Sequence, residues 1–432
     1  MSENAVVAWI KEQAIPIMTL DPQAPLDDLA PFEQMVGNAS LVGLGEASHG
    51  AHEFFVMKHR LLRFLVEKMG FTMLATEMSW MGAEPLNDYV LTGKGDVKAL
   101  LKNNGYDIWY TQEILDLIEW MRAYNARQEQ AHQVHFAGFD CVYQHRSSHE
   151  RIVQYFQAVD PEHSEHVAQL YDMIATQSSL PQVPDLSIRQ QIREAASQVC
   201  TRLSEHKNAY IARSSPAAFT NILQEAHIVE QVAQFFLSQG AKYRTVAGRE
   251  RMQQREHFMA ENIAWLHEHR EAGRKLVVWA HNGHIASWGW WRHGPDPFEV
   301  PFTWMGRDLR QRYGEQYLPL GFSFSEGAHS AIPISKDIEI LSPKRQPCSI
   351  TPAIEGSSNA LLRKVQGPYL LDLRSAPSGE VRDWFDERHP TRTFGGGHVS
   401  DEGDYANSVL SECFDVLIEI ERISPSQLLE SE

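Results

Sequence analysis

Six acid–base side chains follow apolar runs of this chain, each close to the point where a run ends. They are Glu46, His49, Glu77, Asp140, His281 and His284. If the runs are parallel strands of one sheet, their ends meet along its carboxyl edge, where open α/β sheets place their ligands. Carboxylates and imidazoles are the usual groups of general acid–base catalysis. The pattern therefore predicts a reaction centre at this edge.

The first pair lies in a turn that runs from Gly45 to Gly50. Glycine permits a tight backbone there, and the helix that follows supplies free amide donors and a positive dipole end. A carboxylate three residues from a histidine can hold one ring nitrogen and leave the other as a base, which is the role predicted for Glu46 and His49. A local role fits the sequence equally well, with Glu46 and Ser48 capping the helix and His49 facing solvent.

Lys58 interrupts the apolar stripe of a helix predicted over Ala51–Met69, whose other members are Phe54, Leu61 and Leu65. A buried ammonium needs an anion, and Glu46, Glu77 or a substrate oxygen could serve. We expect Lys58 to support catalysis by stabilising the transient oxyanion of an ester hydrolysis. The alternative is that its stem lies along the helix and its head reaches solvent.

Glu77 follows an apolar strand and is predicted to orient a histidine or polarise a water, although helix capping is as common for a single carboxylate there. His281 and His284 flank Asn282–Gly283, a turn that can present both imidazoles to one point. They could bind zinc with Glu77 or Glu46, but this spacing is a weak metal signature beside a helical HExxH. We therefore predict a centre without metal or other cofactor.

Five further residues are predicted to bind substrate. They are Trp109, Tyr110, Arg255, Asn262 and Trp288. Aromatic side chains at the mouth of a crevice suit a large apolar or sugar-bearing ligand, although ordinary lid packing explains them nearly as well. Arg255 and Asn262 are polar residues on one face of a helix that otherwise reads as buried. No acidic residue lies three or four positions from Arg255, so an ion pair within its own helix is excluded, whereas an exposed arginine is not.

The composition and net charge of the chain limit the kinds of molecule that it is expected to bind. The 432 residues carry a net charge of −17 and are 43% hydrophobic, which disfavours nucleic acid and anionic membrane surfaces and leaves a small-molecule substrate. The N-terminus lacks the basic start and apolar core of a signal peptide, and no apolar run approaches the roughly 20 residues that span a bilayer. Four scattered cysteines indicate a reduced, cytoplasmic protein without a disulfide framework or thiolate zinc site: Cys141, Cys200, Cys348 and Cys413. The oligomeric state is left open.

Strands and helices alternate through the first third of the chain, which predicts βαβ units and a parallel sheet. The predicted strands there are Ser40–Leu44, Phe71–Thr76 and Gln133–Phe139, and the helices are Ala51–Met69, Met81–Leu91 and Thr111–Gln130. Further strands are predicted at Lys275–Ala280, Tyr317–Phe324 and Val416–Ile420. The stretch 327–403 is rich in Gly, Pro and Ser and gives no clear assignment.

Residues 149–273 have a helical pattern broken by prolines at 161, 181, 184 and 216, which is far longer than a crossover between two strands. We therefore predict an α/β fold with an open, mostly parallel sheet flanked by helices, and a large inserted helical bundle that covers the carboxyl edge. The core would consist of residues 1–148 and 274–432, with the bundle at 149–273.

Several of these motifs, in this order, resemble those of the erythromycin esterase family. They are Gly45-Glu46-Ala47-Ser48-His49-Gly50, Glu53-Phe54-Phe55 with Lys58, Gly70-Phe71, Glu77, Arg255–Asn262 and Ala280–His284. The resemblance implies a hydrolase that opens macrolide lactones through an activated water and without a serine nucleophile. It implies that His49 is the general base, that Glu46 and Glu77 are its carboxylate partners, and that His281 and His284 form a second histidine pair.

Two positions depart from the pattern expected of macrolide-degrading members. Position 58 is Lys where they are expected to carry Arg, and the turn reads Ala-Ser-His-Gly where they are expected to read Gly-Ala-His. Both departures concern the substrate more than the hydrolytic centre. Other relatives of the family are labelled for exopolysaccharide biosynthesis.

We therefore expect a carboxylic ester hydrolase, with a macrolide-type macrolactone as its substrate. It contains no G-x-S-x-G elbow, dinucleotide fingerprint or P-loop, which disfavours a serine hydrolase and nucleotide chemistry. The alternative is a ligand- or haem-binding protein that uses the same crevice without turnover, with His281 or His284 as an axial ligand.

Overall fold

The computed structural model describes residues 3–104, 106–142, 146–178, 185–237, 246–269, 274–288, 290–291, 302–334, 344–398 and 405–430. Its strands are β1 (Ile15–Pro16), β2 (Leu41–Leu44), β3 (Phe71–Ser79), β4 (His135–Asp140), β5 (Lys275–Trp279), β6 (Trp290–Trp291), β7 (Tyr317–Ser323), β8 (Glu326–Pro333), β9 (Gln346–Ile350), β10 (Tyr369–Asp372), β11 (Arg388–Arg392), β12 (Gly397–His398), β13 (Tyr405–Val409), β14 (Val416–Glu419) and β15 (Arg422–Ile423).

Its helices are α1 (Glu3–Gln13), α2 (Ala30–Val36), α3 (His52–Met69), α4 (Trp80–Thr92), α5 (Val97–Lys102), α6 (Gln112–Asn125), α7 (Arg146–Val159), α8 (Pro161–Ser178), α9 (Leu186–Glu205), α10 (Lys207–Arg213), α11 (Pro216–Leu237), α12 (Val246–His269), α13 (Asn282–Ile285), α14 (Met305–Tyr313), α15 (Ser358–Leu362), α16 (Glu380–Asp386) and α17 (Leu410–Cys413). Within the described ranges, none of these helices is long and apolar enough to cross a membrane.

An eight-stranded sheet in the order β1-β10-β14-β7-β2-β5-β3-β4 forms the core. Strand β2 lies between β7 and β5 and is parallel to both, and the β5–β3 and β7–β14 pairs are also parallel. Strands β10 and β1 add an antiparallel edge. The predicted open, mostly parallel sheet is therefore confirmed, because the buried apolar runs of the sequence are its strands.

All six strands predicted from apolar runs are present. The largest difference is in β3, which continues to Ser79, so that Glu77 lies inside the strand rather than after it. A carboxylate within a strand cannot cap a helix, and that local role for Glu77 is excluded. The predicted helix over Thr111–Gln130 is shorter and ends at Asn125.

The chain divides into two compact units. One comprises Met1–Glu77, Pro85–Ala137 and Ala260–Glu432, and the other comprises Met78–Glu84 and Gly138–Met259. Most of the sheet belongs to the first unit, and helices α7 to α11 belong to the second. Pro161 and Pro216 begin α8 and α11, as expected of helix-starting prolines, whereas the prolines at 181 and 184 lie outside the described residues. The predicted boundaries of a helical insertion, and its position over the carboxyl edge, stay predictions.

The stretch 327–403 contains several strands that the sequence does not reveal. Strand β10 joins the main sheet beside β14, β8 pairs with β9, β12 and β15, and β11 pairs with β13. Residues 335–343 and 399–403 of this stretch lie outside the described residues. The chain after β11 reaches the turn that follows β2, where the amide of Phe394 donates to the carbonyl of Ala47 at 2.7 Å.

Gly50 is required by the close approach of two backbones. Its carbonyl accepts from the amides of Ser330 and Ser426, both at 2.9 Å, and a Cβ atom at position 50 would overlap the carbonyl oxygen of Ser330. The turn after β2 is therefore fixed against β8 by a contact that tolerates no side chain.

We expect Gly50→Ala to lower the free energy of unfolding by about 1–3 kcal/mol or more, because the overlap is with backbone that cannot move aside. The measurement is urea unfolding followed by circular dichroism. Gly395→Ala is the matched control, since no atom lies within 4 Å of the added Cβ, and its effect should stay within about 0.5 kcal/mol. Equal stability of the two variants would contradict the close approach.

Candidate active site

Glu46 lies in the turn between β2 and α3 and is completely buried. Its Oε1 atom is 2.6 Å from Nδ1 of His49. Glu46 does not cap the helix: α3 begins after Ala51, where no side chain caps the amides, and the hydroxyl of Ser48 instead contacts Nδ1 of His329 at 2.7 Å. The predicted contact between Glu46 and His49 is present, and the local capping role is wrong.

Glu46 is the anion that pairs with the buried ammonium of Lys58. The Lys58 ammonium donates to Glu46 Oε2 at 2.7 Å and lies 3.4 Å from the carbonyl of Ala280 and 4.2 Å from the ring centroid of Trp279. The indole of Trp279 donates to the same carboxylate oxygen at 3.0 Å. Burial lowers the pKa of Lys58 to about 8, against the opposing effect of Glu46.

Lys58 has no exposed surface, so its head does not reach solvent and that alternative is wrong. Its ammonium contacts Glu46, which makes Lys58 a positioning residue for this carboxylate. Stabilisation of an oxyanion by Lys58 stays a prediction. The apolar stripe of α3 buries its stem, and the carboxylate compensates its charge.

Trp109 is also completely buried, and its predicted position at the mouth of a crevice is wrong. Its ring stacks on Phe55 with centroids 6.1 Å apart and meets the ring of Trp279 edge-on at 6.5 Å. These aromatic contacts support Trp279 from behind and so stabilise the hydrogen bond from Trp279 to Glu46.

Glu77 organises the two histidines that follow β5. Its Oε1 atom is 3.0 Å from Nε2 of His284, and its Oε2 atom accepts from the backbone amide of His281 at 3.0 Å. Asn282 holds this turn against β7, since its side-chain amide donates to the carbonyl of Phe322 at 2.7 Å and accepts from the amide of Phe322 at 3.1 Å. The contact predicted between Glu77 and a histidine is present.

The rings of His281 and His49 are neighbours, with centroids 5.2 Å apart. Nδ1 of His281 accepts from the amide of Gly283 at 3.1 Å, so the ring proton is on Nε2, which is 3.0 Å from the hydroxyl of Thr393. Burial, together with His49 and His284, holds the pKa of His281 well below its usual value. His281 is therefore a neutral donor, and it joins the Glu46–His49 pair to the Glu77–His284 pair.

The other predicted substrate-binding residues have different surroundings. The hydroxyl of Tyr110 donates to the carbonyl of Glu430 at 3.3 Å, and the guanidinium of Arg307 lies 4.1 Å above the ring of Trp288. Asn262 is completely buried in α12. Substrate contact by Tyr110, Asn262 and Trp288 stays a prediction.

Arg255 is buried and not exposed. In the second compact unit its guanidinium donates to both oxygens of Asp140, with Nε–Oδ1 and Nη2–Oδ2 distances of 3.0 and 2.7 Å. The sequence excluded a partner within α12, and the structure supplies one from the end of β4. A role for Arg255 toward substrate stays a prediction.

Two side chains at the centre were missed by the sequence reasoning. Trp279 is the last residue of β5, two positions before His281, and its position at the strand end was the available signal. Thr393 follows β11 in the unassigned stretch, and no local pattern marks it. His398 comes from the same stretch as Thr393. Its Nδ1 is 3.1 Å from Nε2 of His329, so that a chain of contacts from Ser48 through His329 to His398 supports the turn after β2.

The histidines and carboxylates of this centre do not converge as a metal site. Across the described part of the chain, no three of these side chains bring one donor atom each to within 4.8 Å of one another. The expectation of a centre that works without metal stays a prediction, and the geometry fits proton transfer between paired groups.

The protein therefore has an α/β fold, and two carboxylate–histidine pairs form a candidate acid–base centre at the edge of its mostly parallel sheet. The sequence profile described as erythromycin esterase matches residues 66–423, and the chain belongs to this family. Family membership supports hydrolase activity, and the matched segment contains Glu77, His281 and His284.

Two curated relatives are similar over most of their length. The chain is 24% identical to "Erythromycin esterase type II" of Escherichia coli over 346 residues, covering 75% of this chain and 78% of that protein. It is 23% identical to "Putative hydrolase YbfO" of Bacillus subtilis over 435 residues, covering 98% and 92%.

Solved structures share the fold over almost the whole chain. A Bacillus cereus protein superposes with a TM-score of 0.84 at 30% identity and covers 100% of both chains. A structure titled as a succinoglycan biosynthesis protein gives 0.82 at 28% identity and covers 99% of both. An erythromycin esterase mutant in its open conformation gives 0.72 at 16% identity, covering 97% of this chain and 99% of that one, and shows the fold alone.

We expect Lys58→Met to lower the free energy of unfolding by about 3–5 kcal/mol, because it leaves the carboxylate of Glu46 buried without its cation. The double variant Glu46→Gln/Lys58→Met removes both charges and should recover most of that loss. Urea unfolding of the single and double variants measures the difference.

Lys364→Met is the matched control for this cycle. Lys364 pairs with Glu3, but both side chains are more than two-fifths exposed, so the loss should be at most about 1 kcal/mol. A Lys58→Met variant as stable as this control would show that the buried pair contributes no net stability.

Proposed function

We propose that the protein hydrolyses an ester or lactone bond with a water molecule activated by His49, without a serine nucleophile. The observation that carries the proposal is the buried chain from Lys58 through Glu46 to His49. It fixes a carboxylate behind a histidine that is close to a second, separately oriented histidine pair. This is the arrangement that a general base and its orienting group require.

His49 would accept the proton of the attacking water on Nε2, since Nδ1 is held by Glu46 at 2.6 Å. Glu46 would keep the ring in this tautomer and stabilise the imidazolium that forms, as the carboxylate of a catalytic triad does. Lys58 and Trp279 both donate to Oε2 of Glu46, which fixes the position of this carboxylate. Water attack on the ester carbon would then form a tetrahedral oxyanion.

His281 and His284 would stabilise the oxyanion and assist the departure of the leaving group. His281 is neutral with its proton on Nε2, and that N–H can donate to an oxyanion if it exchanges its contact with Thr393. His284 is held by Glu77 and can exchange a proton with the reacting groups. The proton taken by His49 would return to the alkoxide as the tetrahedral intermediate collapses, giving an alcohol and a carboxylic acid that then loses its proton to water.

We propose a macrolide-type macrolactone as the substrate, so that the activity would inactivate an antibiotic and confer resistance. The support is the family, together with the name of the Escherichia coli relative. The proposal also includes a cytoplasmic location, because all four cysteines are free thiols. It requires no nucleic acid, membrane or metal.

A haem protein that uses His281 or His284 as an axial ligand is the less favoured alternative. Both ring nitrogens of His281 and Nε2 of His284 already lie within 3.1 Å of protein partners. An axial ligand needs a nitrogen directed at open space. A Soret band in the purified protein would revive this alternative.

The direct experiment is to incubate the protein with macrolides of different ring sizes and to detect the gain of one water by mass spectrometry. We expect His49→Ala to reduce this rate by about 10²–10⁴-fold, the scale of removing a general base, with little change in folding. His52→Ala is the matched control. His52 is the first residue of α3, three positions after His49, and its Nδ1 is likewise 2.6 Å from a carboxylate oxygen, Oε1 of Glu113. Near-wild-type turnover by folded His49→Ala would remove His49 from the mechanism.

The pKa of Lys58 predicts an alkaline limit to activity. The ammonium that holds Glu46 is lost as the pH rises through about 8, so the rate should fall above that pH. Lys58→Arg keeps a cation that does not deprotonate in this range, and its alkaline limit should move to higher pH. The pH–rate profile of kcat/KM for the two proteins tests this, and an unchanged limit in Lys58→Arg would contradict it.

A further inference from the structure

Three different metal-binding side chains meet between two helices of the second compact unit. Cys200 is on α9, and His227 and Glu230 are on α11. The donor atoms of all three, one from each side chain, lie within 4.8 Å of one another. Nδ1 of His227 and Oε2 of Glu230 are 3.6 Å apart. None of these residues belongs to the centre formed by Glu46, Glu77 and the histidines.

The periodicity of the two helices explains why these three side chains are close together. His227 and Glu230 are three residues apart and therefore lie on the same side of α11. Cys200 lies on the side of α9 that packs against α11, next to the buried Val199 and one turn before the buried Leu203. The thiol is buried, whereas the side chains of His227 and Glu230 are 44% and 29% exposed. The cluster is thus at the rim of the helix interface, open to solvent on one side.

The donor set and its dimensions suit zinc. Thiolate, imidazole and carboxylate are the three ligand types that zinc takes in proteins. Zinc bonds of about 2.0–2.3 Å at tetrahedral angles separate ligand atoms by roughly 3.4–3.7 Å, which matches the His227–Glu230 distance. The partly exposed side chains can adjust to bring the sulfur to the same spacing.

A cavity of about 790 Å³ adjoins the cluster. Glu230 lines it, together with Ser197, which lies one turn before Cys200 on α9. Water can therefore reach a metal held by the three side chains and fill a fourth position. The cluster thus offers three ligand types to one ion and leaves room for water beside Glu230.

We propose that Cys200, His227 and Glu230 bind a zinc ion that clamps α9 to α11. On binding, Cys200 loses its thiol proton to solvent and coordinates as a thiolate, His227 coordinates as the neutral imidazole, and Glu230 coordinates as the carboxylate. Two negative ligands compensate the 2+ charge of the ion. Because the ligands come from two helices, binding favours the folded state of the helical unit.

The test uses the full chain, stripped of metal with a chelator and titrated with Co²⁺ as a spectroscopic substitute for Zn²⁺. We expect one equivalent of Co²⁺ to give a near-ultraviolet thiolate-to-cobalt charge-transfer band, and Zn²⁺ to displace it and to raise the thermal unfolding midpoint. Cys200→Ser should abolish the band, and Glu230→Gln should weaken Co²⁺ binding by at least about tenfold. The band reports a thiolate ligand, so binding at the histidines of the sheet edge cannot imitate it.

Cys348→Ser and His206→Gln are matched controls, since both remove a potential ligand that lies outside the cluster, and both should leave the band unchanged. Glu230→Gln changes a partly exposed side chain and keeps the proposal testable if Cys200→Ser fails to fold. A band absent from the wild-type protein, or equally strong in folded Cys200→Ser, would overturn the proposal. Ester hydrolysis should survive in Cys200→Ser, so the outcome is independent of the proposed reaction.

Discussion

The buried ion pair between Lys58 and Glu46 is the constraint on which the centre depends. Neither group would tolerate burial alone, because an unpaired charge in a protein interior costs several kcal/mol. Trp279 and His49 also contact this carboxylate, so three donors surround its two oxygens. Helix α3, the turn after β2 and the end of β5 each contribute one partner, and the pair thereby fixes the relative positions of these three elements.

The two halves of the centre are built on different principles. Glu46 is charged, enclosed and surrounded by donors, which makes it a fixed counter-charge for His49. Glu77 divides its two oxygens between the ring of His284 and the backbone amide of His281, and so determines the shape of the histidine turn.

The sequence was least informative where partners are distant. Thr393 reaches His281, and Phe394 reaches the turn at Ala47, from a stretch without clear periodicity. Arg255 pairs with Asp140, which lies more than a hundred positions earlier in the chain. A buried guanidinium requires an anion, but the sequence does not show which anion the fold brings to it. The proposed zinc ligands show the same limit, since Cys200 and His227 are too far apart in sequence to form a recognisable metal motif.

By itself the sequence determined six of the eight strands of the main sheet, the parallel arrangement of its interior and the polar groups near the strand ends. These follow from local rules, because an apolar run must be buried and the residue after it comes to the edge. The same rules put Lys58 on the buried side of α3. Only the tertiary structure decided that its partner is Glu46, that Trp109 is core rather than crevice, and that Glu77 lies within β3. Those choices depend on which surfaces pack together, and packing is a property of the whole chain rather than of any segment.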